Sequence, residues 1–349
     1  MPSGKRWILR HCRNAHPHMC EYLIRKHGFS DLCRLPWDSG PKSKGSHLRD
    51  LMLDLLFVLK NLRPLREAQE IIAIGPMAPS VALLLKCRCL RSCQRVYWFG
   101  LFIHSPLWIR LLRASFRILD STQLHYVLFS QFEKTLYAKA FSFDENRMVY
   151  LPYGDLSDLE TQADAEVQLV KEPDDSRCFF SGGYSNRDYL SLIETFRSLP
   201  FKLIIVCSAL NTEIREAIIP PNVKVLREVS SRLFDAYVKS AKACIIPIAH
   251  NTGAAGQSCL LRYMKNRKII IATDTDVIRE YITDGVSGIL VNDNHESMAS
   301  AIRAVNANTE GYRCYAEAAY ESYARHFSGE ALARQLDQML DQGRERDGN

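Results

Sequence analysis

No apolar run in this 349-residue chain reaches the roughly 18–20 residues needed to span a bilayer. The N-terminus is basic at Lys5, Arg6, Arg10 and Arg13 but lacks the continuous apolar core of a secretory signal, so none is expected. Paired C-x2-C spacing is absent. The groups Cys12, His16, His18, Cys20 and Cys87, Cys89, Cys93 therefore do not have the pattern of structural zinc sites, and no metal is expected. Eleven cysteines, an odd number scattered along a long chain, argue for reduced thiols in the cytoplasm rather than a disulfide framework. No repeat recurs at a fixed period, and no recognised nucleic-acid module occurs, so no nucleic-acid partner is expected.

What is present suffices for two ordinary cores, since 47% of the residues are hydrophobic. The net charge of +6 is unevenly spread. Through Tyr150 there are 23 Lys/Arg against 11 Asp/Glu, and beyond it 22 against 28. An anionic partner is expected for the first half alone.

Strand and helix patterns alternate throughout, which argues for α/β architecture with parallel sheets. The first half reads as strands over 6–10, 31–35, 70–74, 96–102 and 126–130, with helices over 19–27, 48–62, 107–119 and 131–141. Leu151-Pro152-Tyr153-Gly154 closes it, and the acidic stretch 155–176 reads as a linker. The second half reads as strands over 177–181, 202–207, 223–226, 243–248, 269–273 and 289–291. The expected organisation is a domain over 1–154, the linker 155–176, a second domain over 177–330, and a C-terminal helix and tail over 331–349.

Two glycine turns stand out. Ser181-Gly182-Gly183-Tyr184-Ser185-Asn186-Arg187-Asp188 follows a strand and opens a helix, with Asp188 a good N-cap. Asn251-Thr252-Gly253-Ala254-Ala255-Gly256-Gln257-Ser258 does the same after the apolar run Ala243 to Ile248. A strand, a glycine turn and a helix N-terminus together form an anion site, because the first backbone N–H groups lack helical partners and the helix dipole adds positive charge. A phosphorylated ligand is the first expectation.

The second turn leads into Tyr263-Met264-Lys265-Asn266-Arg267-Lys268-Ile269-Ile270-Ile271-Ala272-Thr273 and then Asp284-Gly285 and Gly288. In order and spacing this block resembles the donor half of GT-B glycosyltransferases, most like the retaining nucleotide-sugar transferases of family four (glycosyl transferases group 1). The resemblance is clear over about 126–291. It implies two Rossmann-like domains with parallel sheets facing a central crevice, closure of which excludes water. It further implies transfer of a sugar from a nucleotide diphosphate sugar to an acceptor hydroxyl, with retention. No cofactor beyond the donor substrate is implied. Asp274-Thr275-Asp276 falls where the family has an ordinary loop.

Residue by residue, Arg187 matches the basic residue that meets the donor diphosphate, a role suited to the planar fork of a guanidinium. Gly182, Gly183, Gly253 and Gly256 match the close-approach turns. Leu226 and Arg227 fall at the strand end near the nucleobase, with Ser208 on a neighbouring strand end. His104 falls where the family places a group beside the reacting centre, and His16 is a second candidate. The chain departs from the family at two positions. Ala254 and Arg262 stand where two glutamates hold the sugar and the ribose, which leaves Asn251, Thr252, Gln257 and Ser258 as the polar groups at hand. Their loss favours a non-catalytic GT-B partner protein, and a sugar-nucleotide epimerase on the same fold is a second alternative that fold alone leaves open.

The acceptor is expected to be a glycan or glycolipid, as in polysaccharide biosynthesis. Leu107 to Leu119 is a basic amphipathic stretch, with Arg110, Arg113 and Arg117 on one helical face, and 81–91 is a second apolar-then-basic run. Both suit an anionic membrane surface and a peripheral position at its inner face.

Overall fold

The computed structural model describes residues 5–12, 16–35, 47–101, 103, 106–154, 178–249 and 254–347. The chain divides into two compact units, Met1–Pro152 with Leu332–Asn349, and Tyr153–Ala331.

The first unit runs β1 (Lys5–Cys12), α1 (Pro17–His27), β2 (Ser30–Leu35), α2 (His47–Lys60), α3 (Leu62–Leu65), β3 (Ala68–Ile74), α4 (Ala78–Lys86), β4 (Arg95–Phe99), α5 (Pro106–Leu119), β5 (Leu124–Leu128), α6 (Gln131–Phe141) and β6 (Met148–Tyr150). All six strands are parallel, in the order β2-β1-β3-β4-β5-β6. Their central members read as near-continuous apolar runs because both faces are covered by helices. Every residue of β4 is buried.

Local chemistry explains where these elements depart from expectation. The strand expected over 96–102 stops at Phe99, because Gly100 takes a left-handed φ of 72°. The strand expected to end at Ser130 ends at Leu128. Ser130 instead caps α6, its hydroxyl accepting the Glu133 N–H. The strand β6 is short and half-buried, and its three residues carry no periodicity of their own. Helix α4 places Val81, Ala82, Leu84 and Leu85 in the core, so most of the apolar part of the 81–91 run is interior packing.

The second unit runs β7 (Phe179–Gly182), α7 (Tyr189–Arg197), β8 (Leu203–Cys207), β9 (Val223–Arg227), α8 (Ser231–Ser240), β10 (Ala243–Ile246), α9 (Gln257–Lys265), β11 (Ile269–Thr273), α10 (Asp276–Arg279), β12 (Ile289–Val291), α11 (His295–Ala307) and α12 (Arg313–Ser322). Its six parallel strands take the order β12-β11-β10-β7-β8-β9. Alternation along the strands feeds two cores, one per sheet face. Phe180, Ile204 and Ile246 face one, while Phe179, Ile205 and Ile245 face the other. The strand expected over 243–248 ends at Ile246, since Pro247 cannot donate to the ladder.

The closing helix α13 (Gly329–Asp347) belongs, from Leu332 onward, to the first unit. Its Asp337 accepts from Tyr22 Oη at 2.8 Å and Lys26 Nζ at 2.6 Å, and pairs with His27 Nε2 at 2.8 Å. Its Arg344 lies 3.5 Å from the buried Glu70, which also meets Arg6 at 2.8 Å and Arg95 at 3.3 Å. Burial pushes the Asp337 carboxyl up, but the bonds from Lys26, His27 and Tyr22 outweigh this and hold it below the usual carboxylate value. A lowered folded pKa means stability that is present above the unfolded value and lost as pH falls through the folded one. Asp337→Asn is therefore expected to lower the first unit's melting temperature near neutral pH by roughly 2–4 °C. The gap from wild type, followed by calorimetry, should close as pH drops below about 4.

Candidate functional site

The C-terminal edge of the second sheet carries the two glycine turns, and the fold brings them together. In open parallel sheets this is the edge at which ligands bind. The chain leaves β7 at Gly182, passes Gly183 at φ 110°, and turns through Asn186 at φ 53°. The Asn186 carbonyl accepts the Ala249 N–H at 3.1 Å, and its side-chain amide donates to the Ala249 carbonyl at 3.2 Å. The Asp188 N–H donates to the Pro247 carbonyl at 2.9 Å, and Arg187 bridges Ile248. The turn after β7 is thus stitched to the exit of β10. Asp188 then caps α7, accepting the Ser191 N–H at 2.9 Å.

Arg187 is 7% exposed, and its guanidinium folds back under its own turn. Nε donates to the Gly182 carbonyl at 3.2 Å and Nη1 to the Ser185 carbonyl at 2.5 Å. Nη2 lies only 2.6 Å from where a side-chain carbon on Gly183 would sit, so any other residue there would displace it. Three arginines are buried among the described residues. Arg10 pairs with Asp31 and Arg95 with Glu70, whereas Arg187 meets no carboxylate among the described residues. A buried charge without a counter-charge is costly, and a bound anion would offset that cost.

Helix α9 begins beside it. A side-chain carbon on Gly183 would also fall 3.0 Å from Cys259 Sγ in the first turn of α9. The helix starts at Gly256, φ 94°, with no side-chain cap over its first turn. That leaves the N–H groups of Ser258 and Cys259 for a ligand. Gly256 is required twice over, by its φ and by Ile246, Ile248 and Ile278, which crowd the space a side chain would fill. Ser258 is exposed at this end, while Gln257 is buried and donates to the Tyr281 hydroxyl at 3.3 Å. Asn251, Thr252 and Gly253 lie outside the described residues.

Three tyrosines that the sequence pattern did not single out support the two turns. The Tyr263 hydroxyl accepts the Gly182 N–H at 2.9 Å, and Tyr189 donates to the Gly183 carbonyl at 2.6 Å. Tyr281 accepts the Tyr153 N–H at 3.2 Å as well as the Gln257 amide. In a single sequence, tyrosines at helical spacing look like core residues, and only the buried hydroxyl reveals the second role. With the Gly182 N–H on Tyr263 and the Gly183 N–H on the Val206 carbonyl, these glycines offer closeness rather than free donors.

The remaining positions spread along the same edge. Leu226 is half-buried and Arg227 exposed at the end of β9, where Arg227 Nη1 donates to the Asn211 carbonyl at 3.3 Å. The Ser208 N–H bonds Asn211 Oδ1 at 3.2 Å at the end of β8. Arg262 is held by α8: it bonds the Ser231 hydroxyl, lies 3.5 Å from Asp235, and stacks 4.9 Å over the Phe234 ring. Asp274 and Thr275 are committed to local structure, Asp274 to a bidentate pair with Arg279 and Thr275 to capping α10.

In the first unit His104 lies outside the described residues. The residue before it is pinned, since Tyr137 Oη both accepts the Ile103 N–H at 3.1 Å and donates to the Ile103 carbonyl at 3.0 Å. His16 sits between β1 and α1 in a left-handed conformation, φ 48°, with its ring stacked 5.3 Å from Phe129. Burial pushes its imidazole down to about 4 and so keeps it neutral. Among the described residues no group of three or more His, Cys, Asp or Glu is placed to hold a metal. The Cys20 and Cys93 thiols are pushed up to about 12 by burial, which disfavours the thiolate a metal would need.

No curated protein matches the chain by sequence. Residues 176–308 match the family described as glycosyl transferases group 1. Sucrose-phosphate synthase from Thermosynechococcus elongatus is similar over 97% of this chain and 98% of its own, with TM-score 0.73 and 15% identity. HepE from Anabaena, solved in complex with UDP, is similar over 97% and 100%, with TM-score 0.69 and 14% identity. A glycosyltransferase from Rickettsia africae is similar over 98% and 99%, with TM-score 0.70 and 13% identity. These likenesses establish the two-unit GT-B fold, and the family match covers the unit that holds Arg187 and the α9 turn. The chain therefore has the GT-B fold, and its residues 176–308 are similar to glycosyl transferases group 1.

Proposed function

We propose that the second unit binds a nucleotide diphosphate sugar at Arg187 and the first turn of α9, and that the protein transfers the sugar to an acceptor hydroxyl on a glycan or glycolipid. The observation that carries this is the buried, carboxylate-free guanidinium of Arg187 beside an uncapped helix N-terminus. HepE, of the same fold, has been solved with UDP and with UDP-glucose, which supports a nucleotide donor here.

Arg187 and the α9 dipole stabilise the charge that grows on the leaving diphosphate, the place where fixed donors contribute most to rate. They are the cationic groups of the site, with no cofactor beyond the donor itself. Gly253 lets the diphosphate approach the backbone, while Gly182, Gly183 and Gly256 make room for the side chains that shape the two turns. Leu226 and Arg227 border the base, and Asn251, Thr252, Gln257 and Ser258 take the sugar and ribose hydroxyls in place of the two missing glutamates. His104 is the acceptor-side group that accepts the hydroxyl proton or bonds the transferred sugar. The sugar is a hexose transferred with retention, and the reaction takes place in the cytoplasm as a step in polysaccharide or glycolipid synthesis.

A thermal-shift screen against UDP, GDP, CDP, TDP and their common sugar conjugates tests the donor site, since a ligand of the native state raises the midpoint by mass action. One nucleotide is expected to give a clear shift. Arg187→Met should abolish that shift while leaving the unliganded midpoint unchanged or higher, because the variant no longer buries an unpaired charge. No shift with any nucleotide would favour the non-catalytic alternative raised by Ala254 and Arg262. With the donor in hand, His104→Ala should lower turnover more than about tenfold without changing the melting temperature; unchanged turnover refutes its role. Proton NMR of the product's anomeric centre decides between retention and inversion.

A further inference from the structure

We propose that the outer face of α2, α4 and α5 in the first unit docks on the surface of an anionic lipid bilayer. The inference stands on this unit alone and does not depend on the donor site.

Helix α5 has three faces. At 100° per residue, Ile109, Leu112 and Phe116 turn to the core. Leu107, Trp108, Leu111 and Ile118 form a second stripe and stand 57–65% exposed. Arg110, Arg113 and Arg117 form the third, on the α6 side, where Arg113 Nε donates to the Ala140 carbonyl at 2.8 Å. A core helix with a solvated face needs only two of these stripes. The exposed apolar one is unaccounted for by the fold.

It is not isolated. Helix α4 packs against both α2 and α5, and right-handed crossovers place all three on one side of the sheet. Leu83 of α4 is exposed between its neighbours, and α2 adds Met52, Leu56 and Leu59, which share a face at i, i+4 and i+7. Single exposed apolar residues are ordinary, whereas a run of them across three adjoining helices marks an interaction surface.

The charges on these helices select the occupant. Helices α4 and α5 contain no Asp or Glu. The two carboxylates of α2 turn inward: Asp54 is fully buried against His11 and Arg34, and Asp50 meets Arg34 at 3.3 Å. Arg49, Lys60, Lys86, Arg110 and Arg117 remain as exposed charges, all of one sign. Pairing two copies through this face would set arginines against arginines. An anionic bilayer neutralises them while taking the apolar stripe into its headgroup boundary, where Trp108 is well suited. No helix among the described residues is long and apolar enough to cross a membrane, so the contact is with the surface.

Flotation of the full-length protein with vesicles of phosphatidylcholine, or of equimolar phosphatidylcholine and phosphatidylglycerol, tests this. Binding is expected with the anionic vesicles at low salt, weakening as salt rises, with a blue shift in Trp108 emission. Leu111→Asp with Ile118→Asp, and separately Met52→Asp with Leu56→Asp, should each weaken binding at least about tenfold. Arg110→Glu with Arg117→Glu should remove most of the salt dependence, at about fivefold per arginine. All these side chains are exposed, so the variants should melt as wild type; for any that does not, the corresponding serine variant replaces it. The proposal is overturned if the wild-type protein fails to float with anionic vesicles at low salt, or if it floats equally well with both stripes altered. It is also overturned if sedimentation shows the face closing a dimer that the same variants dissolve.

Discussion

The second unit is organised around one charge that no carboxylate among the described residues neutralises. Arg187 is as buried as Arg10 and Arg95, yet those two lie against carboxylates and Arg187 lies against the carbonyls of its own turn. Its position follows from constraints that leave the side chain little choice. The turn is sewn to the β10 exit through Asn186 and Asp188, Gly183 lies so close that a side chain there would displace the guanidinium, and Tyr189 and Tyr263 lock the two glycines. A group held this way in advance loses little when a ligand arrives, which is the condition for electrostatic stabilisation of a leaving group. The cost is borne by the unliganded fold, as is common at functional sites.

The two departures from the family pattern have different physical weight. Ala254 removes a carboxylate and puts nothing in its place. Arg262 reverses a charge, and the structure shows what the new charge does: it joins α8 and α9 through Ser231, Asp235 and the Phe234 ring. That same ring fills the space a side chain on Gly182 would need, its Cε2 lying 2.4 Å from the position of such a carbon. Arg262 therefore buttresses the turn that positions Arg187. At this position a side chain that the family pattern turns toward a ligand is instead a scaffold contact between α8 and α9.

Much of this was legible in the sequence because strand, turn and helix signals there are local. The parallel sheets declared themselves as apolar runs, and Asp188 begins its helix as its chemistry dictates. The two glycine turns and Arg187 were visible for the same reason. What was not legible depends on contacts distant in sequence. That Cys259 lies against Gly183 across 76 positions, that Gln257 is buried beneath Tyr281, and that Tyr263 holds Gly182 are facts of packing. The strand ends at Phe99 and Ile246 were overrun because an apolar residue beyond a strand looks the same as one within it.

The helix α5 shows the limit of periodicity from the other side. Its arginine stripe is plain from spacing, but spacing cannot separate apolar residues that face the core from those that face outward. The stripes of Ile109, Leu112 and Phe116 and of Leu107, Leu111 and Ile118 are both helical, and only the sheet beneath decides between them. The 81–91 run makes the opposite case: its pattern resembles that of α5, yet all but Leu83 of its leucines and valine are interior. The helix α2 carried no excess of basic residues to draw notice, and its outward Met52, Leu56 and Leu59 emerge once Asp50 and Asp54 are seen to turn inward toward Arg34. A basic apolar surface is therefore a property of the layer of helices, fixed by which faces the sheet claims first.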